Sequence, residues 1–133
     1  MLTNLLINKL KDSPNARVVT VASIGHILGE IHFDDINLNK KYNKYSAYWQ
    51  SKLANVLFTR ELAKRLSHTN IKAYCLHPGL VRTELIRHMD GFLGCWVRFL
   101  HRIYVIDPVA GAQTSLFCAL EPSISEESGH YYK

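Results

Sequence analysis

The order of elements along this chain predicts an α/β domain of the doubly wound kind, and three observations carry the prediction. An apolar stretch at helical spacing opens the chain, a Val-rich run follows it, and helix-like and strand-like segments then alternate to the end. Apolar residues make up 47% and charged residues 20% of the 133 positions, the balance of an ordinary globular protein. That length suffices for a single domain, residues 1–133, and is short for two.

Leu2, Leu5, Leu6 and Leu10 recur at helical spacing, and Asp12-Ser13-Pro14-Asn15 stops that helix. Arg17 leads into Val18-Val19-Thr20-Val21-Ala22, a β-branched run with little alternation, which predicts a strand covered on both faces and ending at Ser23. A polar connection from about Gly25 to Lys44 is long for a strand-to-helix loop, and loops of that length are often functional. From Ser46 to Leu66 the pattern is helical, with Leu53, Val56, Leu57, Ala63 and Leu66 on apolar faces and Arg60, Glu61, Lys64 and Arg65 on the wet one. Ile71 to Leu76 reads as a second strand, closed by His77-Pro78-Gly79. Asp107 before Pro108 predicts a helix start that runs to about Leu120, and Gly129-His130-Tyr131-Tyr132 begins one more strand. Strands joined by crossover helices should be parallel with right-handed connections. Three strands are few for such a sheet, so the sheet reads as partial, open at both ends of the chain.

Composition also excludes. The formal charge is +5, but the basic residues are spread along the chain, and pairs such as Lys40-Lys41 and Lys64-Arg65 read as a solvated face. No base-reading motif accompanies them, so no nucleic-acid partner is expected. Cys75, Cys95 and Cys118 are odd in number and far apart, which argues against a disulfide framework and for a reducing compartment, or at least for thiols on a reduced face. The seven histidines are scattered singly, without the spacing a metal needs. The apolar stretch Phe92 to Leu100 is interrupted by Arg98 and falls short of the ~20 residues that span a bilayer. The opening residues lack the basic start and cleavage site of a signal peptide.

Tyr48 and Lys52 lie four apart on the long predicted helix, so both project from one face. A phenol near its ordinary pKa of ~10 is a poor acid–base catalyst at neutral pH, and a nearby ammonium favours the phenolate. Ser23 stands at the C-terminal end of a predicted strand, where ligand crevices open in α/β sheets. A hydroxyl there is placed to hold a substrate oxygen, although the same residue also suits a plain strand end that bonds a local amide. Tyr42 and Tyr45 have no lysine four residues on.

The stretch Ala47-Tyr48-Trp49-Gln50-Ser51-Lys52-Leu53-Ala54-Asn55 resembles the active-site helix of short-chain dehydrogenases. Its continuation, Val56 to Ala63, is similar to the retinol dehydrogenase branch of that family. The branch sets its serine 25 residues before the tyrosine, the separation of Ser23 and Tyr48. His77-Pro78-Gly79-Leu80-Val81-Arg82-Thr83 is similar to the family's Pro-Gly turn at the nicotinamide end of the cofactor, and Gly111 to Ser115 and Ser128 to Tyr131 also match in order. The resemblance implies a Rossmann-like sheet of which this chain is the C-terminal half, with the N-terminal dinucleotide-binding half missing. It implies Ser23, Tyr48 and Lys52 as catalytic residues, and Tyr48, Lys52, Pro78, Gly79, Val81 and Thr83 as contacts to NADP(H), with NAD(H) as the alternative cofactor. It implies a lipophilic alcohol or aldehyde such as retinol or retinal as substrate. It also implies pairing through the long helices, the family's dimer surface, and an association of the full-length protein with endoplasmic reticulum or mitochondrial membranes, where relatives are often held by N-terminal segments.

Residues 84–106 fall where the family places a variable substrate lid. Leu85, Ile86, Met89, Phe92, Trp96 and Phe99 would line an apolar pocket there, rest on a membrane surface, or pack as a helix pair on the domain. The chain departs from the family in three places. The glycine-rich phosphate turn and a structural asparagine, both upstream of Ser23 in the family, are absent, and Ala22 stands where a serine usually precedes the catalytic one. An alternative therefore stands beside catalysis: a non-catalytic subunit that acts by pairing with a full-length relative.

Overall fold

In the computed structural model, residues 2–81 and 106–133 are described. The elements are α1 (Leu2–Lys11), β1 (Arg17–Val21), α2 (Lys44–Arg65), β2 (Lys72–Leu76), α3 (Pro108–Leu120) and β3 (Tyr131–Tyr132). Short 3-10 helices, Ile24–Leu28 and Phe33–Asp35, occupy the long connection between β1 and α2. The strands lie in the order β1-β2-β3 and every pairing is parallel. Val21 is in register with Leu76, and Leu76 with Tyr132, so the three strands end together.

The expected helix starts are set by local chemistry. Asn43 caps α2, its side-chain oxygen accepting from the amides of Tyr45 (2.9 Å) and Ser46 (3.1 Å), and so the helix begins two residues before Ser46. Asp107 caps α3 in the same way, accepting from Val109 (2.8 Å) and Ala110 (3.0 Å), with Pro108 at the first helical position.

Alternation along the strands divides the core. Ala73 and Val18 face Leu62 and Ala63 of α2, Leu66 at its C-terminal cap and, from α1, Ile7 and Leu10. Tyr74, Leu76, Val19 and Tyr132 face the other way, onto Cys118 of α3 and Ile124. Burial of a large apolar side chain contributes about 1.5–3 kcal/mol, and Ile71, Tyr74 and Leu76 are buried almost completely. Arg17 ties β1 to the far end of α3, donating to the carbonyls of Cys118 (3.0 Å) and Glu121 (2.9 Å). A cation at that position also suits the negative end of a helix.

Three expectations change. The strand expected to be covered on both faces, β1, is only half-buried, with Val21 45% exposed, whereas β2 carries the fully buried run. Among the described residues β1 pairs with β2 alone, so position in the sheet rather than composition decides which strand is the inner one. Of the apolar stripe on α1, Leu10 reaches the core together with Ile7, while Leu2, Leu5 and Leu6 are exposed. The two crossovers also cannot both be right-handed. Both step the same way across the sheet, yet α2 and α3 cover opposite faces, because α1 and α2 already fill one face and the Tyr74 face still needs a cover. No helix among the described residues is long and apolar enough to cross a membrane.

The edge of β1, unpaired among the described residues, and the exposed leucines of α1 favour association. Produced as these 133 residues alone, the chain is expected to aggregate or to fold only in part. Light scattering and a thermal melt check this, and a monodisperse monomer with one cooperative transition contradicts it.

Candidate active site

The C-terminal ends of the strands, all on one side of the sheet, gather the residues singled out above. Ser23 leaves β1 in an extended conformation (φ −160°, ψ 154°) and caps the 3-10 helix Ile24–Leu28. It is buried, and its Oγ accepts from the amide of Gly25 at 3.2 Å. A hydroxyl that accepts from an amide keeps its own O–H to donate, which suits it to a substrate oxygen.

Tyr48 and Lys52 stand one turn apart on α2, with Nζ of Lys52 5.6 Å from the centre of the Tyr48 ring. Lys52 Nζ also donates to the carbonyl of Val21 at 3.3 Å, and Asn55 Nδ2 donates to the same oxygen at 3.2 Å. The helix bearing the tyrosine is thereby fastened to the strand end from which Ser23 emerges. Asn55 was not singled out beforehand, but its place three residues after Lys52 on the same helix face was the available signal.

The serine segment and α2 approach each other at backbone distance. A Cβ at Gly29 would stand 2.5 Å from the carbonyl oxygen of Trp49 and 2.9 Å from Cβ of Leu53. Gly29 has an ordinary backbone conformation (φ −80°), so it is the closeness that requires glycine. A Cβ at Gly25 would meet Tyr48 Cε1 at 3.4 Å, which puts the segment after Ser23 against the Tyr48 ring. Gln50, buried on α2, secures the rest of the connection by accepting from His32 N (3.0 Å) and donating to Ile36 O (2.8 Å).

The Pro-Gly turn follows β2. Gly79 has φ +83°, a left-handed conformation that glycine adopts without strain. The turn is held by a bond from Ile106 N to Leu80 O (3.0 Å) and a parallel bridge between Val81 and Ile106. Pro78, Gly79 and Val81 are thus placed at the end of the strand next to Ser23, while Thr83 and residues 84–105 of the expected lid lie outside the described residues. A Cβ at Gly79 would also stand 2.9 Å from Cδ1 of Ile106, so the Ile106 side chain packs against the turn.

Beneath the site lies a polar floor that sequence reasoning missed. The rings of His26 and Tyr131 pack at 4.7 Å, and the buried His77 Nδ1 and Tyr131 Oη have no hydrogen-bond partner among the described residues. Burial pushes the His77 imidazole down from its usual range, and the neighbouring His26 pushes the same way. Burial pushes the Tyr131 phenol up, helped by Cys75 and Tyr48. The Cys75 thiol is likewise raised by burial, which makes it a core residue rather than a nucleophile.

Comparison with known proteins identifies the family and the fold. Residues 1–91 match the family model described as short chain dehydrogenase. The chain is 49% identical to human (Homo sapiens) retinol dehydrogenase 12 over 132 residues, which is 99% of this chain and 41% of that protein. It is 46% identical to human retinol dehydrogenase 14 over 136 residues, covering 99% of this chain and 40% of that protein. Among solved structures, a 3-ketoacyl-(acyl-carrier-protein) reductase from Brucella melitensis, complexed with NADH, aligns with a TM-score of 0.66 at 20% identity, covering 98% of this chain and 48% of that one. That structural likeness establishes the fold, with strands and helices in Rossmann order. The chain spans about two fifths of the length of the curated relatives it matches.

The close approach at Gly29 gives a direct check. Gly29→Ala is expected to lower stability by about 1–3 kcal/mol, as overpacking against a backbone does. It should also speed amide exchange across residues 24–36 more than across β2. Hydrogen exchange by mass spectrometry reads both, and an unchanged exchange pattern contradicts the close docking.

Proposed function

The chain belongs to the short-chain dehydrogenase family, and from that premise we propose that it carries the reaction centre of an NADP(H)-dependent oxidoreductase that interconverts a lipophilic alcohol such as retinol and its aldehyde. The observation that supports this most is the docking of Tyr48, Lys52 and the Ser23 segment around one strand end. The high identity to retinol dehydrogenases supports the substrate class. NADP(H) is the cofactor of this reading and NAD(H) the alternative.

In this reading Ser23 donates its hydroxyl hydrogen to the substrate oxygen, its acceptor side being held by Gly25 N. Tyr48 gives a proton to the oxygen that becomes an alkoxide in reduction, and takes it from the alcohol in oxidation. The ammonium of Lys52, beside the ring, favours the negative charge that this transfer leaves on the phenol oxygen. Lys52 and the backbone of Pro78, Gly79 and Val81 hold the nicotinamide end of the cofactor, with Thr83 assigned to the same task. When bound, that cofactor supplies or accepts hydride, and the protein contributes position and charge. Residues 84–106 form the substrate lid in this account.

Pairing through the long helices is part of the proposal. Leu57 and Phe58 of α2 are 45% and 43% exposed, which gives that helix an apolar outer surface for a second subunit. The same surface supports the second reading, a subunit that acts by pairing alone.

In the full-length protein with NADPH and all-trans-retinal, Tyr48→Phe is expected to lower kcat about 10²–10⁴-fold while the melting temperature stays near the parent value. Lys52→Met should lower kcat and weaken NADPH binding together. Retention of activity by Tyr48→Phe would remove the tyrosine from the mechanism, and an inactive parent that pairs with a relative would favour the second reading.

A further inference from the structure

We propose that His26 is a positioning residue of this reaction centre, which grips the carbonyl of Ser23 from its seat on Tyr131 and so fixes where the serine hydroxyl points. The inference rests on the functional reading above and adds to it a residue outside the Ser-Tyr-Lys set.

Ser23 is the residue at which β1 stops being a strand. The last amide held by the sheet is that of Ala22, which donates to Leu76 O at 2.8 Å. Beyond that point the orientation of Ser23 depends on the segment that follows. Its carbonyl accepts from His26 N at 3.0 Å, the ordinary bond of a 3-10 turn. It accepts a second, shorter bond from the same residue, His26 Nδ1 at 2.7 Å. A carbonyl can only accept, so Nδ1 carries hydrogen there, and in the neutral ring Nε2 is the bare nitrogen. The turn closes through the backbone bond alone, and the side-chain bond is surplus to that closure. Its effect falls on the orientation of the Ser23 peptide.

What holds the imidazole in place is the sheet. Its ring rests on Tyr131 with centroids 4.7 Å apart and planes inclined at 58°. Tyr131 is in β3, in register with Cys75 of β2, so its ring is carried on paired backbone. A chain of contacts thus runs from the paired strands through Tyr131 and His26 to the Ser23 carbonyl. On the far side of that residue Gly25 N holds Oγ. The groups around His26 are Ser23 on its own segment, His77 at the end of β2 and Tyr131 on β3. A phenyl ring would fill the space against Tyr131 as well as an imidazole does, but it could not donate to Ser23.

That difference supplies the experiment, made on the full-length protein with NADPH and all-trans-retinal. His26→Phe keeps the ring and removes the donor. It is expected to lower kcat about tenfold or more, as a small misplacement of a reacting group does, with KM for retinal and the melting temperature close to the parent's. His26→Asn, whose side-chain amide can donate from nearly the position of Nδ1, should recover most of the loss. A kcat for His26→Phe near the parent's, or a His26→Asn no better than His26→Phe, overturns the proposal. A parent protein that turns over neither retinal nor retinol would refute the functional reading instead. The placement of His26 is then judged by the nitrogen resonances of its neutral ring. A protonated, slowly exchanging Nδ1 supports it, and an Nε2–H tautomer with a bare Nδ1 overturns it.

Discussion

Two side chains of α2, Lys52 and Asn55, donate to one backbone oxygen, that of Val21, at 3.3 and 3.2 Å. The next two residues along the chain are Ala22 and Ser23, so these bonds set the distance between the tyrosine helix and the serine. Each contributes about 0.5–1.5 kcal/mol net where solvent can reach it, which is small beside the burial that holds the sheet. Their importance is geometric. The core fixes α2 against the sheet near Leu62, Ala63 and Leu66, well along the helix from Tyr48. The Val21 carbonyl supplies an anchor at Lys52, one turn from Tyr48.

Other constraints fall into place around that anchor. Gly29 admits the serine segment to within contact of the α2 backbone, and buried Gln50 closes the remainder of the connection onto the same helix. On the neighbouring strand, left-handed Gly79 turns the chain over the site, and Ile106 holds that turn from the far end of the sequence segment that separates them. The long polar connection is therefore a structured wall of the site, with two short 3-10 helices and defined bonds to α2.

How much of this was legible in the sequence follows the range of the interactions. The start of α3 was readable because its cap, Asp107, and its proline lie within three residues of the amides they serve. Tyr48 and Lys52 could be put on one helix face because their spacing is a property of one helix, and Ser23 at a strand end, but joining them into one site rested on the family resemblance. Arg17 was not readable as the tie to α3, since its acceptors lie more than a hundred residues away. Tyr131, His77 and His26 come from three different elements, and only strand register brings them together. The burial of β1 and the hand of the crossovers were misjudged for a related reason. Both depend on which strand is central and which face is already covered, and neither is written in a local pattern.

The central claim is that Ser23 and Tyr48 act on one substrate oxygen as a unit, held in place by the Val21 anchor. A double-mutant cycle on the full-length protein tests this most directly, with kcat for retinal reduction measured for Ser23→Ala, Tyr48→Phe and the pair. Residues that serve one transition state are strongly non-additive, so the account predicts that the double variant is no slower than Tyr48→Phe alone. Losses that multiply, with the double variant slower by the product of the two single effects, would mean that the two residues work independently and would contradict the account.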